Sequence, residues 1–136
     1  MDTDEKPDLR RGGKSKLLLE GETEKLIGFS FEVLNEIGHG LSEKIYENSL
    51  VVLFKRNGIA FDQQRRFPVL FRGDQVGEFI PDLIVFGSAI VDTKVIDRIT
   101  DHERGQMLNY LRITKLRVGL IVNFKHARLE WERVVL

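Results

Sequence analysis

One stretch constrains this chain more than any other: Pro-Asp-Leu-Ile-Val-Phe-Gly-Ser-Ala-Ile-Val-Asp-Thr-Lys-Val, residues 81–95. Two runs rich in Val and Ile flank Gly87-Ser88, the pattern of neighbouring strands in a hairpin. Each run carries ionisable residues that a core excludes, Asp82 in the first and Asp92 and Lys94 in the second. Side chains alternate along a strand, so Asp92 and Lys94 share a face and Thr93 takes the other. Burying two carboxylates and an ammonium is costly without compensation. A bound cation compensates, and Mg²⁺ prefers carboxylate oxygens. An ion pair at a strand end does so more plainly, and these three residues by themselves leave both readings open.

Residues directly opposite on antiparallel strands share a face. Asp82 and Asp92 therefore converge only if the connection is an odd-length loop or contains a bulge. A tight two-residue turn closed by Phe86 and Ala89 would put the carboxylates on opposite faces. The expectation is the odd loop.

At 136 residues the chain has the size of one domain with one core, and its 42% hydrophobic and 31% charged content is ordinary for a globular protein. There is no cysteine, which excludes disulfides and thiolate zinc sites. No run approaches transmembrane length and the N-terminus is polar, so a cytoplasmic protein without a membrane partner is expected. The formal net charge is zero but unevenly spread: residues 17–53 hold seven Glu against two Lys, and residues 94–128 eight Lys or Arg against three Asp or Glu. A basic surface near Asp82 and Asp92 is one reading, and ordinary solvated faces are the other.

Residues 1–18 are charged and broken by Pro7 and Gly12-Gly13, and are expected to form a disordered tail ahead of a domain at 19–136. Arg10, Arg11, Lys14 and Lys16 in that tail could touch a phosphate backbone. The helical spacing of Leu26, Phe29, Ser30, Val33 and Ile37 predicts a first helix over 22–37, stopped by Gly38-His39-Gly40. His39 is expected in a solvent-exposed loop. A second helix is predicted over 42–57, with Ser42 as N-cap and Gly58 as stop. Glu43, Tyr46, Leu50 and Leu53 share one face of it, so Glu43 either complements the helix dipole or is a carboxylate aimed at a metal. Strands follow at 65–71, where Pro68 suggests an edge, and at 76–86 and 89–95, as a three-stranded meander with Asp82 and Asp92 on its inner strands. Thr100-Asp101-His102-Glu103 is a capping box opening a third helix that runs to about Ile113. It places His102, Gln106 and Tyr110 in one stripe. Strands at 117–124 and 128–135 close the chain, the first joined to its predecessor by a parallel crossover. The fold class is α/β, helices on a mixed sheet in the order α-α-β-β-β-α-β-β.

With those residues placed, the chain resembles the GxxExxY family of the PD-(D/E)XK nuclease superfamily. The name motif is Gly40-Leu41-Ser42-Glu43-Lys44-Ile45-Tyr46, and the nuclease signature is Pro81-Asp82 followed by Asp92-Thr93-Lys94. Gln106-Met107-Leu108-Asn109-Tyr110 matches the Q-x-x-x-Y motif of the RecB-like and lambda-exonuclease-like branch. The resemblance covers about residues 23–134 and implies a restriction-endonuclease-like core. It implies that Asp82 and Asp92 ligate Mg²⁺, or Mn²⁺ in its place, with Glu43 as a third carboxylate. Lys94 would orient the attacking water and face the phosphate's developing charge, with Gln106 and Tyr110 positioning the substrate strand. Tyr46, Arg98, His102, Arg104, Arg112 and Lys115 are the candidate nucleic-acid contacts, and Arg117 could add to the basic path. The implied activity is metal-dependent hydrolysis of phosphodiester bonds, in DNA ahead of RNA, by a homodimer or within a larger defence or repair complex. Asp92 stands where Glu is the family's commoner acid and is shorter by one methylene, about 1.5 Å. The alternative is therefore a weak or inactive module that keeps the fold to bind nucleic acid or protein.

Overall fold

The computed structural model describes residues 18–136. The expected tail, with Arg10, Arg11, Lys14 and Lys16, lies outside them but for Leu18. The described chain runs α1 (Glu20–Ile37), α2 (Glu43–Arg56), β1 (Phe61–Gln63), β2 (Phe67–Phe71), β3 (Asp74–Phe79), β4 (Leu83–Val85), β5 (Ala89–Lys94), α3 (Asp101–Thr114), β6 (Val118–Asn123) and β7 (Glu130–Val135). Five strands form one sheet in the order β1-β4-β5-β6-β7; β5 and β6 are parallel and the other neighbours antiparallel. No described helix is long and apolar enough to cross a membrane.

Strand alternation splits the core across the sheet. Leu83, Val85, Val91, Leu120 and Val122 face α1 and α2, where Leu26, Leu50 and Phe54 are buried against them. Ile90 and Ile121 face α3 and pack on Met107 and Leu111. Gly119 lies on this second face beneath Met107, where any Cβ would collide with the Met107 side chain. The missing side chain at Gly119 lets α3 sit close to the sheet.

The α-helices and the parallel crossover are as expected, and the capping box is present. The Thr100 hydroxyl accepts from the His102 N–H, and the Glu103 carboxylate accepts from the Thr100 N–H at 2.7 Å. Ser42 sits at the α2 N-cap with extended backbone, but its side chain makes no capping bond. The expected meander is corrected. The run 76–86 is not one strand: β3 ends at Phe79, and β4 begins at Leu83. Pro81 lies in the gap and has no N–H for a ladder. β2 and β3 pair only with each other, as a separate two-stranded hairpin, and β1 takes the place beside β4. Asp82 therefore immediately precedes a strand rather than lying within one.

The segment between β5 and α3 is clamped by buried Asn123. Its amide donates to Ile96 O and to Glu130, its oxygen accepts from Ile96 N–H, and Glu130 accepts from Ile99 N–H. Gly119→Ala is expected to cost about 1–3 kcal/mol by overpacking against Met107. Denaturant melts check this, and an added Met107→Ala should not deepen the loss by the full cost of an isolated core truncation.

Candidate active site

The connection between β4 and β5 is the three-residue loop Phe86-Gly87-Ser88, with Phe86 (φ 59°) and Gly87 (φ 66°) both left-handed. It closes a ladder in which Leu83 faces Val91 and Val85 faces Ala89. Continuing that register by one residue sets Asp82 opposite Asp92, on the face that carries α3. The odd loop that convergence requires is thus present. The Asp82 and Asp92 carboxyls are close enough to act on each other's ionisation. The Lys94 ammonium lies 3.5 Å from Asp92.

A cleft opens over this pair, lined also by Glu43, Phe79, Ile80, Pro81, Ile90 and Tyr110, with a volume of about 160 Å³. Glu43 reaches it from the first turn of α2, and its carboxylate accepts from the Val95 N–H at 3.3 Å. The Thr93 hydroxyl ties the same turn down by donating to Glu43 O. Tyr110 stacks on Phe79, ring centroids 4.1 Å apart and planes 16° from parallel. Five of the sequence-predicted residues therefore meet in one cleft: Glu43, Asp82, Asp92, Lys94 and Tyr110. Among the described residues, however, no three His, Cys, Asp or Glu side chains form a ready-made metal-binding group. Glu43 does not close a three-carboxylate set with the aspartates. Carboxylates without a cation between them repel, and the Val95 amide offers Glu43 a neutral donor instead.

The remaining candidates fall elsewhere. Tyr46 is fully buried, so its assignment as a nucleic-acid contact is corrected. Its ring stacks on Phe124 at 4.2 Å, and its hydroxyl donates to Gly38 O and accepts from Leu41 N–H. Tyr46 thus fixes the loop that launches Glu43. Arg104 is bound to Glu132 and Asp101, which spends its charge within the fold. Gln106 is half-buried and does not line the cleft. Arg98, His102, Arg112 and Lys115 are exposed. His39 is exposed in its loop, as expected.

Sequence reasoning missed Glu47, a carboxylate only 2% exposed. It accepts from Lys44 at 3.1 Å, Gln63 at 2.7 Å and Gln64 at 3.1 Å. Gln64 in turn donates its backbone N–H to Asp82 O, from a left-handed φ of 63°. Glu47 therefore holds the segment that grips the Asp82 backbone. The available signal was its position four residues after Glu43, one turn along the same helix face as Leu50 and Phe54.

A family model described as the PD-(D/E)XK nuclease superfamily matches residues 20–134. The chain belongs to the PD-(D/E)XK nuclease superfamily. Four solved chains also match this PD-(D/E)XK domain. One, described as the crystal structure of SSO0001, has a TM-score of 0.54 at 16% identity, covering 86% of this chain and 59% of its own. That likeness speaks for the fold alone, and the present chain spans less than two thirds of that chain's length. No curated protein matches.

The electrostatics of the cleft follow from crowding acids where water is scarce. Burial pushes the Asp92 carboxyl up to about 7, with neighbouring Asp82 adding to the shift and Lys94 opposing it. Asp82 is likewise raised by burial and then by the Glu47 charge. Burial works against the Lys94 ammonium, but Asp92 and Glu43 outweigh it and hold its pKa above the ordinary lysine value. Burial and the Asp92 charge raise Tyr110.

Two outcomes follow. Folded Asp92 keeps its proton up to about 7 while the unfolded chain releases it near 3.8, so metal-free protein loses stability as pH rises between these values and no further above them. In EDTA, the stability advantage of Asp92→Asn over wild type should grow through that window and then level off, as read from thermal melts; a pH-independent difference would contradict the shift. Glu47→Ala should cost about 1–3 kcal/mol by orphaning its donors, and Glu47→Gln less, measured by denaturant titration.

Proposed function

We propose that this PD-(D/E)XK protein is a divalent-metal-dependent nuclease that hydrolyses phosphodiester bonds of DNA, in the manner of the GxxExxY family and its RecB-like relatives. The observation that carries the reading is the β4–β5 register. It sets Asp82 opposite Asp92, with Lys94 3.5 Å from Asp92, in an open cleft.

The donor chemistry fits a hard cation. Asp82 and Asp92 offer carboxylate oxygens, the preference of Mg²⁺ and Mn²⁺, with Glu43 on the cleft wall as a further oxygen donor. Lys94 is the one cation among the cleft-lining residues, against these three acids. Burial first, and neighbouring acids after it, raise both aspartate carboxyls. Bound there, a divalent ion would make a water nucleophilic at neutral pH and draw charge from the phosphate. Lys94 has a raised pKa and stays protonated at neutral pH, so it orients water and meets negative charge growing on phosphate oxygens. Tyr110, held by Phe79, forms a wall against which a substrate strand is positioned. Gln106, one turn earlier, and exposed Arg98, His102, Arg112 and Lys115 would follow the phosphate backbone.

A second reading, a catalytically weak nucleic-acid-binding module, draws on the short Asp92 side chain and on Glu43 resting on the Val95 amide. One assay separates the two. Single-stranded and linear duplex DNA are incubated with the protein in Mg²⁺, in Mn²⁺ and in EDTA. Hydrolysis is expected with metal, and loss of it in EDTA and in Asp82→Ala. Activity that survives both treatments contradicts the proposed chemistry, and metal-independent binding without cleavage supports the second reading.

A further inference from the structure

The β2–β3 hairpin is set apart from the main sheet, and its far end is exposed among the described residues. Leu70, Phe71 and Val76 are 59%, 62% and 64% exposed. The arm is not simply apolar. Phe67, Val69 and Phe71 lie on one face of β2, spanning about 13 Å. An arginine guanidinium covers each ring, Arg65 over Phe67 at 5.0 Å and Arg72 over Phe71 at 5.2 Å. Phe67 is the register partner of Phe79, and Phe79 stacks on Tyr110 in the cleft wall. An aromatic path therefore leaves the cleft at Tyr110 and Phe79, passes Phe67 and ends at the exposed Phe71.

From this path we infer that the β2–β3 arm is a stacking platform for unpaired nucleotides, so that the substrate class is nucleic acid with a single-stranded segment. The inference rests on the nuclease reading and deepens it. Aromatic faces paired with guanidinium groups are what bases stack on, and every base has a π-face to offer once it is unpaired. Duplex DNA hides those faces and is held chiefly through phosphate charge. The arm is poorly equipped for that. Residues 65–79 carry three Arg against Asp74 and Glu78, and Arg66 is taken up by Glu78 at 2.6 Å. What the arm offers is stacking surface rather than net charge.

The test is fluorescence anisotropy of the full chain with a labelled oligothymidylate and with a blunt duplex, in EDTA so that neither is cut. The oligothymidylate should bind more tightly than the duplex. Phe71→Ala should weaken oligothymidylate binding by about fivefold or more, Phe71→Trp should restore it, and neither should alter duplex binding or the melting temperature. Unchanged oligothymidylate binding in Phe71→Ala overturns the inference. So does equal weakening on both ligands, or a wild-type self-association that Phe71→Ala abolishes, which would make the arm a contact between copies. If wild type cuts DNA while Phe71→Ala is neutral, only the platform fails. If wild type neither binds nor cuts any nucleic acid, the nuclease reading fails and the platform with it.

Discussion

Two carboxylates held face to face at the ends of β4 and β5 set the terms for the rest of this molecule. Their meeting depends on the left-handed loop Phe86-Gly87-Ser88, because one residue fewer would turn Asp82 to the other side of the sheet. Holding acids together at the edge of an apolar core disfavours the charged forms. The surrounding structure resists their separation. Gln64 grips the Asp82 backbone, Glu47 holds Gln64, and the ladder to β6 fixes β5 through Lys94. The scaffold thus keeps two acids in an arrangement that is unfavourable when both are charged.

The two layers of helices divide the labour around that pair. α1 and α2 close the core beneath the sheet, and the stacked Tyr46 and Phe124 rings anchor the loop from which Glu43 projects. α3 covers the other face, and its bare contact at Gly119 brings Tyr110 to the cleft wall. Asn123 and Glu130 hold the segment between β5 and α3, so the helix start and the Asp92 strand keep a fixed relation.

Much of this was legible in the chain itself, and the failures have physical reasons. The paired aspartates could be read because strand parity is a strict rule, and the α3 cap because its four residues form a local motif. The run 117–124 was legible as a strand, and β6 within it is buried along its whole length. The detached hairpin was not, because alternation continues through Phe79 and Ile80, and only Pro81 marks the break. Tyr46 shares a motif with Glu43, and a motif does not tell a residue that touches a ligand from one that locks a loop. Glu47 escaped notice because its partners, Gln63 and Gln64, arrive from a distant strand segment whose place is fixed only by tertiary structure.

The most direct measurement is a crystal grown with Mn²⁺ and examined by anomalous scattering at the manganese edge. The account predicts a peak between the Asp82 and Asp92 carboxylates, within bonding distance of both. A map with no peak there, at Mn²⁺ concentrations that occupy carboxylate sites, or with the metal bound away from Asp82 and Asp92, would contradict it.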